Sequence, residues 1–353
     1  MASTKKSNKK QLKVKKSKEL PTVSLLFINY NGEKYLKRCF GTLFQTKYPQ
    51  ELLEVIFVDS DSTDNSVSLM RKKFPQVKIV EGINEGYGSG ANRGFAQSRG
   101  ELIGVMNVDL EFTKNWLKPL VEMLQSSPKV GITAPVLIPL KDYPPPKTME
   151  ICGFTPYGFA YSHKIRYQKK PIESVWIMGA VMLIKRKVFE KIKGFDPLIY
   201  LYYEDFDLCY RLYLLGFSSV LVPESIVKHK QSGLVDPNIV PTRKIILGTQ
   251  NNTMVVLKNF SGVTLFFFFP IYLLIKIGDI ITDIIHYEHL VWAGAKVKGL
   301  FLALRLLPQI LSERRKIQNK RIVSDWEIFK YNPPVPFCET VRTKILGRRD
   351  IGK

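Results

Sequence analysis

Two acidic clusters have the residue types needed for chemistry on a phosphorylated ligand. The first, Asn107-Val108-Asp109, follows an apolar run and exposes oxygen atoms that suit a hard cation such as Mg²⁺ or Mn²⁺. One carboxylate is a poor cation site by itself, but magnesium commonly takes one or two protein carboxylates and completes its shell with phosphate oxygens. The triplet therefore favours a cation that is bound together with a nucleotide diphosphate.

The second cluster, YYEDFD at residues 202–207, opens a predicted helix. Acidic side chains stabilise the first turn of a helix through its dipole, and this alone would explain them. In the functional alternative, Asp205 feels the like charges of Glu204 and Asp207, which raise its proton affinity and suit it to take a proton from a hydroxyl. His229 follows the last predicted strand; an isolated histidine is usually structural, but this one is also a candidate nitrogen ligand for the cation.

A third cluster, VDSDSTDNS at residues 58–66, places carboxylates directly after a buried strand. A carboxylate at such a strand end can accept a hydrogen bond from a base N–H or a ribose hydroxyl, and we favour ligand binding for Asp59 and Asp61. Thr63 and Asp64 fall where a helix begins, so we expect them to cap that helix.

A glycine-rich turn, GYGSGA at residues 86–91, matches the G-x-G-x-x-G/A dinucleotide pattern. That pattern belongs on the first strand–helix turn, whereas this copy follows the third strand. Glycines let backbone N–H groups approach an anion at a helix N-terminus, and Arg93 adds positive charge one turn later. A diphosphate would suit the turn, and a flexible turn without a ligand is the alternative.

The elements that must position these clusters alternate along the chain. Short apolar runs predict strands at 23–29, 55–59, 77–80, 102–107 and 130–138, with segments of helix length between them. Strands that are apolar along their whole length predict an α/β domain with a largely parallel sheet covered on both faces. Because such sheets bind ligands at the carboxyl ends of their strands, we expect the polar strand ends to share one edge. Residues 150–180 give no clear pattern.

The composition excludes a disordered or collagenous protein, since 45% of the 353 residues are hydrophobic and 24% are charged. The net charge of +22 lies mainly at the ends: residues 1–20 hold eight lysines against one glutamate, and residues 296–353 hold fourteen basic against five acidic residues. Both ends could be held at an anionic surface. We favour lipid over nucleic acid, because the sequence carries no zinc-finger or RNP-type pattern.

The C-terminal part contains an uncharged apolar run that is longer than the predicted strands. Residues 263–275 carry no charge and include four consecutive phenylalanines, but Lys276, Asp279 and Asp283 follow at once. A membrane-spanning helix needs about 20 apolar residues, so we do not expect a full span. Farther on, apolar residues recur at helical spacing from 297 to 311 among lysines and arginines, which favours a helix in the membrane interface. An amphipathic helix packed on its own domain is the alternative.

Taken in order, these motifs resemble the inverting family 2 glycosyltransferases of GT-A fold, particularly the rhamnosyltransferase-like branch. The resemblance covers residues 23 to 232 and rests on FINYNGEKYLKRCF, VDSDSTDNS, NEGYGSGANRGF, NVD, MGAVMLIKRKVFEKIKGFD, YEDFDLCYRL and VKHKQSG. It implies that Asp59 holds the nucleotide base, that Asp109 is the metal-binding aspartate of the D-x-D-type motif, that Asp205 is the catalytic base and that His229 completes the metal site. Asn107 replaces the first carboxylate of that motif, and Asp61 stands where Asn or Gly is more usual.

The sequence thus predicts an α/β, GT-A enzyme that transfers a sugar, with inversion, from a nucleotide-diphosphate sugar to a hydroxyl of a glycan or lipid-linked acceptor. Mg²⁺ or Mn²⁺ is the expected cofactor, bound by Asp109 and His229, and Asp205 is the expected base. The residues expected to contact the nucleotide sugar are Asn29, Asp59, Asp61, Gly90, Asn92, Arg93, Asn107 and Glu204.

The predicted organisation is a basic tail at 1–20, a GT-A domain at 21–240, a helical and membrane-interfacial region at 241–325 and a basic tail at 326–353. The expected location is cytoplasmic, on the inner face of the cell membrane, with an anionic lipid surface as a partner and no nucleic acid. Two alternatives remain open: an NAD(P)-dependent oxidoreductase that uses residues 86–91, and a non-catalytic basic membrane adaptor.

Overall fold

The computed structural model describes residues 19–230, 242–285 and 290–330, so most of the two predicted basic tails lies outside the described residues. The strands are β1 (Val23–Asn29), β2 (Leu53–Ser60), β3 (Lys78–Gly82), β4 (Leu102–Met106), β5 (Leu110–Phe112), β6 (Val130–Pro139), β7 (Thr148–Phe154), β8 (Ala160–Arg166), β9 (Ile172–Glu173), β10 (Val181–Lys185) and β11 (Ser218–His229). The helices are α1 (Glu33–Leu43), α2 (Ser66–Lys73), α3 (Tyr87–Ala96), α4 (Leu117–Ser126), α5 (Arg186–Lys191), α6 (Glu204–Leu214), α7 (Thr242–Asn259), α8 (Gly262–Ile285), α9 (Leu290–Arg305), α10 (Leu307–Gln318) and α11 (Asp325–Phe329).

A nine-stranded mixed sheet forms the centre, in the order β3-β2-β1-β4-β10-β6-β11-β5, with β9 beside β11. The pairs β1–β2, β1–β4, β2–β3 and β6–β11 are parallel, as the alternation of strands and helices predicts. Strand β10 is antiparallel to both β4 and β6 and lies between the two parallel parts. The predicted α/β architecture is therefore confirmed, with a sheet that is mixed rather than uniformly parallel.

Two apolar layers cover the sheet, one on each face. The first contains side chains of α1, α2 and α4, such as Phe40, Met70 and Leu124. The second contains α3, α5 and α6 together with the C-terminal helices, and it joins Phe206 of α6 to Met254 of α7. Burial of both faces explains why these strands are apolar along their length. The predicted boundary near residue 240 stays a prediction.

Four strands have no counterpart in the sequence pattern. Strand β5 is only three residues long and β9 only two, and β7 and β8 form a separate antiparallel hairpin largely within the segment that gave no clear pattern. In β8 the side chains are partly buried or exposed, so its sequence AYSHKIR lacks the apolar run that marks the other strands.

Helix α8 is longer than the uncharged run within it. It continues through Lys276, Asp279 and Asp283 for 24 residues, and among the described helices it alone is long and apolar enough to cross a membrane, by length and composition only. One lysine partly offsets two of those charges: Nζ of Lys296 on α9 lies 2.7 Å from Oδ1 of Asp279 and 2.6 Å from Oδ2 of Asp283. The two carboxylates that argued against a long apolar helix therefore share an ion pair with a neighbouring helix.

Candidate active site

Three polar side chains interlock where β1 and β2 end. Asn29 and Asp59 are partners in the parallel ladder, and both are almost completely buried. The Asn29 amide donates to Oδ2 of Asp59 at 2.8 Å, and Ser62 donates from its N–H to Oδ1 at 2.9 Å and from its hydroxyl to Oδ2 at 2.7 Å. Asp59 is thus fixed by three hydrogen bonds, and its contact with a nucleotide base stays a prediction.

The next residues of the same loop join two helix N-termini. Asp64 accepts from the N–H groups of Glu33 and Ser66, the first residues of α1 and α2, at 3.0 Å each. Burial would raise the pKa of Asp64, but the hydrogen bonds from Ser66 and Glu33 outweigh it and the pKa is lowered. The capping prediction for Asp64 is confirmed. Asp61 is exposed with φ +61°, and its contact with the nucleotide sugar stays a prediction.

The glycine-rich turn brings α3 into close contact with its neighbours. A Cβ atom on Gly86, which has φ +102°, would lie 2.1 Å from the carbonyl oxygen of Tyr200, and one on Gly94 would lie 2.7 Å from Cγ2 of Val58. The first N–H of α3, from Tyr87, donates to the Tyr200 carbonyl at 3.0 Å. A diphosphate at this N-terminus would have to displace Tyr200, so the glycines have a packing role here.

The other α3 residues expected to bind the nucleotide sugar are also engaged by the protein. A Cβ on Gly90 would lie 3.2 Å from Ser60 Oγ. The Asn92 side chain bonds both the N–H and the carbonyl of Phe195, at 2.9 Å each. Arg93 donates to the carbonyls of Ile83 and Asp59 at 3.1 and 3.0 Å. Ligand contacts by Gly90, Asn92 and Arg93 stay predictions.

The fold brings the two expected metal ligands together from 120 positions apart. Strand β5 pairs antiparallel with the end of β11, with His229 opposite Leu110, and this register sets His229 Nε2 3.3 Å from Oδ2 of Asp109. Two adjacent ligands of an octahedral cation at about 2.1 Å would be about 3 Å apart, so the pair fits a shared ion. His229 Nδ1 is buried and has no hydrogen-bond partner among the described residues.

The metal ligand set is small. Among the described residues no group of three or more His, Cys, Asp or Glu side chains is arranged to hold a metal. A carboxylate and an imidazole leave most positions of a hard cation open, which suits an ion that takes further oxygens from a diphosphate. The Asn107 N–H donates to the carbonyl of Ala180 at 3.0 Å, which connects this strand end to the loop before β10.

A small basic cavity lies beside Asp109, and the sequence did not predict it. Its volume is about 250 Å³, and Lys34, Tyr35, Arg38 and Lys230 contribute to its wall. The ammonium groups of Lys34 and Lys230 lie 5.0 and 5.2 Å from the centre of the Tyr35 ring. These cations suit an anionic group bound next to Asp109. In the sequence, Lys34 lies in one of the segments of helix length and belongs to none of the acidic or glycine-rich clusters.

The acidic turn (residues 202–205) has a strained backbone. Tyr202 and Tyr203 both have left-handed φ values, +70° and +71°, which are costly for residues with a Cβ. They lead into α6, where Oδ2 of Asp205 accepts the Gly179 N–H at 2.8 Å and Oδ1 accepts the Phe206 N–H at 2.7 Å. The strain and the two hydrogen bonds fix the direction of the Asp205 carboxylate.

Burial changes the protonation of both carboxyls in the acidic turn. Desolvation, with the charge of Asp205 next, raises the pKa of Glu204 to about 8, and desolvation also raises the pKa of Asp205. Within the part of the chain that the structure describes, Oε2 of Glu204 is buried without a hydrogen-bond partner. The predicted rise in the proton affinity of Asp205 is confirmed, but its main cause is burial rather than like charge.

One tyrosine connects the two halves of the site. The Tyr87 hydroxyl donates to the carbonyl of Gly179 at 3.0 Å. Burial raises the pKa of Tyr87, and the charges of Glu204, Asp205 and Asp109 raise it further. The expected base and the expected metal ligand therefore both lie within electrostatic range of one hydroxyl. Sequence reasoning missed Tyr87 because it was read only as a spacer in the glycine pattern.

Comparison with known proteins also points to the glycosyltransferases. The family model described as Glycosyl transferase family 2 matches residues 24–193. An N-acetylglucosaminyl-diphospho-decaprenol L-rhamnosyltransferase of Mycobacterium tuberculosis is 27% identical over 246 residues, which are 60% of this chain and 76% of that protein. The low-salt glycan biosynthesis hexosyltransferase Agl10 of Haloferax volcanii is 27% identical over 205 residues, 54% of this chain and 62% of that protein.

A solved structure agrees in fold. The crystal structure of GalNAc-T7 with UDP, GalNAc and Mn²⁺ superposes with a TM-score of 0.57 at 18% identity, covering 68% of this chain and 49% of that one. At this identity the likeness concerns the fold alone, and it agrees with a GT-A-like α/β domain.

Proposed function

Because the chain belongs to glycosyltransferase family 2 and transfers a sugar from a nucleotide sugar, we propose that it does so with inversion, onto a hydroxyl of a lipid-linked glycan. The observation that carries the proposal is the 3.3 Å contact between His229 Nε2 and Oδ2 of Asp109, with the charges of Asp109 and Asp205 both acting on the Tyr87 hydroxyl. The alternative prediction of an oxidoreductase that uses residues 86–91 is wrong, because the family consists of glycosyltransferases.

In the proposed reaction Asp205 removes the proton of the acceptor hydroxyl as that oxygen bonds to the anomeric carbon and the bond from that carbon to the diphosphate oxygen breaks. The raised pKa of Asp205 makes it a stronger base than an exposed aspartate. Its hydrogen bonds from Gly179 and Phe206 keep the carboxylate in one orientation. A single displacement of this kind inverts the configuration of the sugar carbon.

Asp109 and His229 would hold the divalent cation, which would offset the negative charge of the leaving diphosphate. Lys34 and Lys230 beside Asp109 add fixed positive charge for the same anion. We propose that the nucleoside binds at the carboxyl ends of β1, β2 and β4. The residues that would contact it there are Asn29, Asp59, Asp61 and Asn107.

A rhamnose-like or hexose donor and a polyprenyl-diphosphate acceptor follow from the names of the relatives, one an L-rhamnosyltransferase acting on N-acetylglucosaminyl-diphospho-decaprenol and one a hexosyltransferase. The test is a thermal-shift screen of UDP-, dTDP- and GDP-sugars, with NADH as the control ligand, followed by turnover of the sugar that stabilises the protein. We expect one nucleotide sugar to raise the melting temperature and NMR of the product to show the inverted anomeric configuration. A retained configuration would remove the single displacement.

The cation has its own test. We expect EDTA to abolish turnover and Mn²⁺ or Mg²⁺ to restore it. We also expect Mn²⁺ binding, followed by electron paramagnetic resonance with nucleoside diphosphate present, to weaken in Asp109→Asn. Full activity in EDTA would remove the metal from the proposal.

We propose further that the protein lies at the cytoplasmic face of the membrane, held by α8 and α9. Both helices expose large apolar side chains, and Phe266 of α8 is 76% and Val291 of α9 is 67% accessible to solvent. The remaining exposed apolar side chains of the two helices include Val263, Phe267, Leu274, Ile277, Ile281, Ile285, Val297, Phe301 and Leu304. Apolar helix faces in a chain with a net charge of +22 suit an anionic bilayer.

Liposome cosedimentation tests this location. We expect binding to vesicles of phosphatidylglycerol and phosphatidylcholine that exceeds binding to phosphatidylcholine alone, and loss of binding in Phe266→Ser/Phe267→Ser. The matched control is Ile83→Ser/Tyr143→Ser, which removes two exposed apolar side chains from the GT-A-like domain. Equal loss in both double variants would contradict the assignment to α8.

A further inference from the structure

A second cavity in the described part of the chain lies at the opposite end of α6 from Asp205. Its volume is about 530 Å³, within the range of small-molecule sites. It lies between the end of α5, the last turns of α6 and one face of α10. Asp205 is in the first turn of α6, whereas Arg211 at the cavity wall is six residues farther along, or about 9 Å of helix rise.

The wall of this cavity is mostly apolar. Side chains from α6, α10 and the loop after α5 provide the apolar surface: Ile192, Phe195, Pro197, Leu198, Leu214, Leu215 and Ile317. Such a wall binds hydrocarbon by removing it from water. A small polar metabolite would gain little from it.

The polar part of the wall is strongly cationic. Six basic side chains line the cavity against two carboxylates: Lys191, Lys193, Arg211, Lys258, Lys316 and Lys320 against Asp196 and Glu313. Both carboxylates are already paired, Asp196 with buried Lys258 and Glu313 with Lys316. Lys191, Lys193 and Lys320 have no ion-pair partner among the described residues. The cavity therefore keeps an excess of positive charge.

Arg211 provides a second, independent observation. It is 8% exposed, donates from Nε to Asp207 at 2.8 Å and from Nη1 to the Ile192 carbonyl at 2.6 Å. Its Nη2 is buried and makes no hydrogen bond in the described part of the chain. Buried guanidinium donors are usually satisfied, because an unmade hydrogen bond to a charged group is costly. An anionic acceptor entering beside Arg211 would remove that cost.

We propose that this cavity binds an anionic amphiphile: the phosphate head and the first methylene groups of a membrane lipid. The apolar wall receives the hydrocarbon, the lysines at the rim face the phosphate, and the buried guanidinium lies at the charged end. Because α10 forms one wall, occupancy would also fasten the C-terminal helices to α5 and α6. This site is separate from the proposed sugar-transfer cleft and does not depend on it.

The test is isothermal titration calorimetry of the full chain with decyl phosphate below its micelle concentration, compared with inorganic phosphate and decyltrimethylammonium. We expect saturable binding of one decyl phosphate per chain, at least tenfold weaker binding of inorganic phosphate, and none of the cationic amphiphile. Equal affinity for inorganic phosphate would show a phosphate site only, and binding of decyltrimethylammonium would show a merely apolar cavity. Either result would overturn the proposal.

Variants assign the binding to this cavity. We expect Lys191→Gln/Lys320→Gln to weaken decyl phosphate binding at least tenfold. The control Lys187→Gln/Arg315→Gln removes the same charge from α5 and α10 outside the cavity and should leave binding unchanged. Ser312→Trp fills the cavity without a change in charge and should abolish binding. Equal loss of binding in the control would show that the effect depends only on net charge and would contradict binding in this cavity. Since no sugar nucleotide is used, failure here leaves the transferase proposal intact.

Discussion

The strand-tip cluster (Asn29, Asp59, Ser62 and Asp64) and the acidic turn (residues 202–205) are both rich in carboxylates, but they differ in every other respect. In the strand-tip cluster Asp59 and Asp64 accept five hydrogen bonds between them. In the acidic turn two residues have left-handed backbones, one carboxylate oxygen is buried without a partner among the described residues and both pKa values are raised. The carboxylates of the first region are fully hydrogen-bonded, although Oδ1 of Asn29 has no partner in the described part of the chain, whereas the second region has a strained backbone and perturbed carboxyls.

This contrast indicates a division of labour. The hydrogen bonds that join Asn29, Asp59 and Ser62 at the ends of β1 and β2 give a rigid surface for binding, because moving any member would break bonds to the others. Strained backbone and perturbed carboxyls gather where protons move, since a base near neutral pH needs a raised pKa. Substitutions in the strand-tip cluster should therefore act on stability and donor binding, and those in the acidic turn on turnover.

The largest expected effect is that of Asp205→Asn. We expect kcat to fall by about 10²–10⁴-fold, because the amide cannot take the proton of the acceptor hydroxyl. Donor affinity in the thermal-shift assay should stay within about twofold. Near-normal kcat would remove Asp205 as the base, and a parallel loss of donor binding would erase the distinction between the two regions.

For Asp59→Ala we expect mainly a loss of stability. It leaves the Asn29 amide and the Ser62 N–H without their acceptor in a buried setting, which should lower the free energy of unfolding by about 2–3 kcal/mol. Urea denaturation followed by circular dichroism measures this change. The matched control is Asp61→Ala at an exposed position of the same loop, which should change stability much less. Equal destabilisation by both would contradict a central role for Asp59.

Substitution of one residue in the C-terminal helices should lower turnover, as substitutions in the acidic turn do. Asn251 of α7 is fully buried, and its amide donates to the carbonyls of Leu201 and Tyr202 at 2.8 and 2.9 Å. Asn251→Ala would release the strained turn, and we expect kcat to fall by about tenfold because small misplacements of catalytic groups are costly. KM for the donor should not change.

Gln250→Ala, one position earlier on α7, is the control for Asn251 and should leave kcat unchanged. If the two variants lose stability and activity together, Asn251 supports the fold in general. Partial recovery of kcat in Asn251→Gln, which keeps the amide donor, would distinguish a positioning role from a packing role.

The sequence predicted best what depends on local pattern. Strand β1 was expected at 23–29 and is found at Val23–Asn29, because a strand buried on both faces is apolar throughout. The contact between Asp109 and His229 could be expected only through the family resemblance, since it depends on the register of β5 against β11. No sequence feature indicated the role of Asn251, because a polar residue on a long helix is typical of a solvent-exposed face.

The last expected effect concerns Glu204 and pH. Its pKa in the folded protein is raised from 4.5 to about 8, so between these values the folded state holds a proton that the unfolded state has released. Stability should therefore fall as pH rises from about 4.5 to 8, by at most about 1.4 kcal/mol per pH unit, and become level above 8. Glu204→Gln cannot ionise, so urea denaturation at pH 5, 6.5 and 8 should show a flatter profile and a gain in stability at pH 8. The same series on Asp64→Asn should behave differently: the pKa of Asp64 is lowered from 3.8, so its contribution is fully present from pH 5 to 8, and Asn should lose a constant amount of stability and leave the slope of the profile unchanged. Parallel profiles for the two variants would mean that the acidic turn and the strand-tip cluster do not differ electrostatically as their hydrogen bonds indicate.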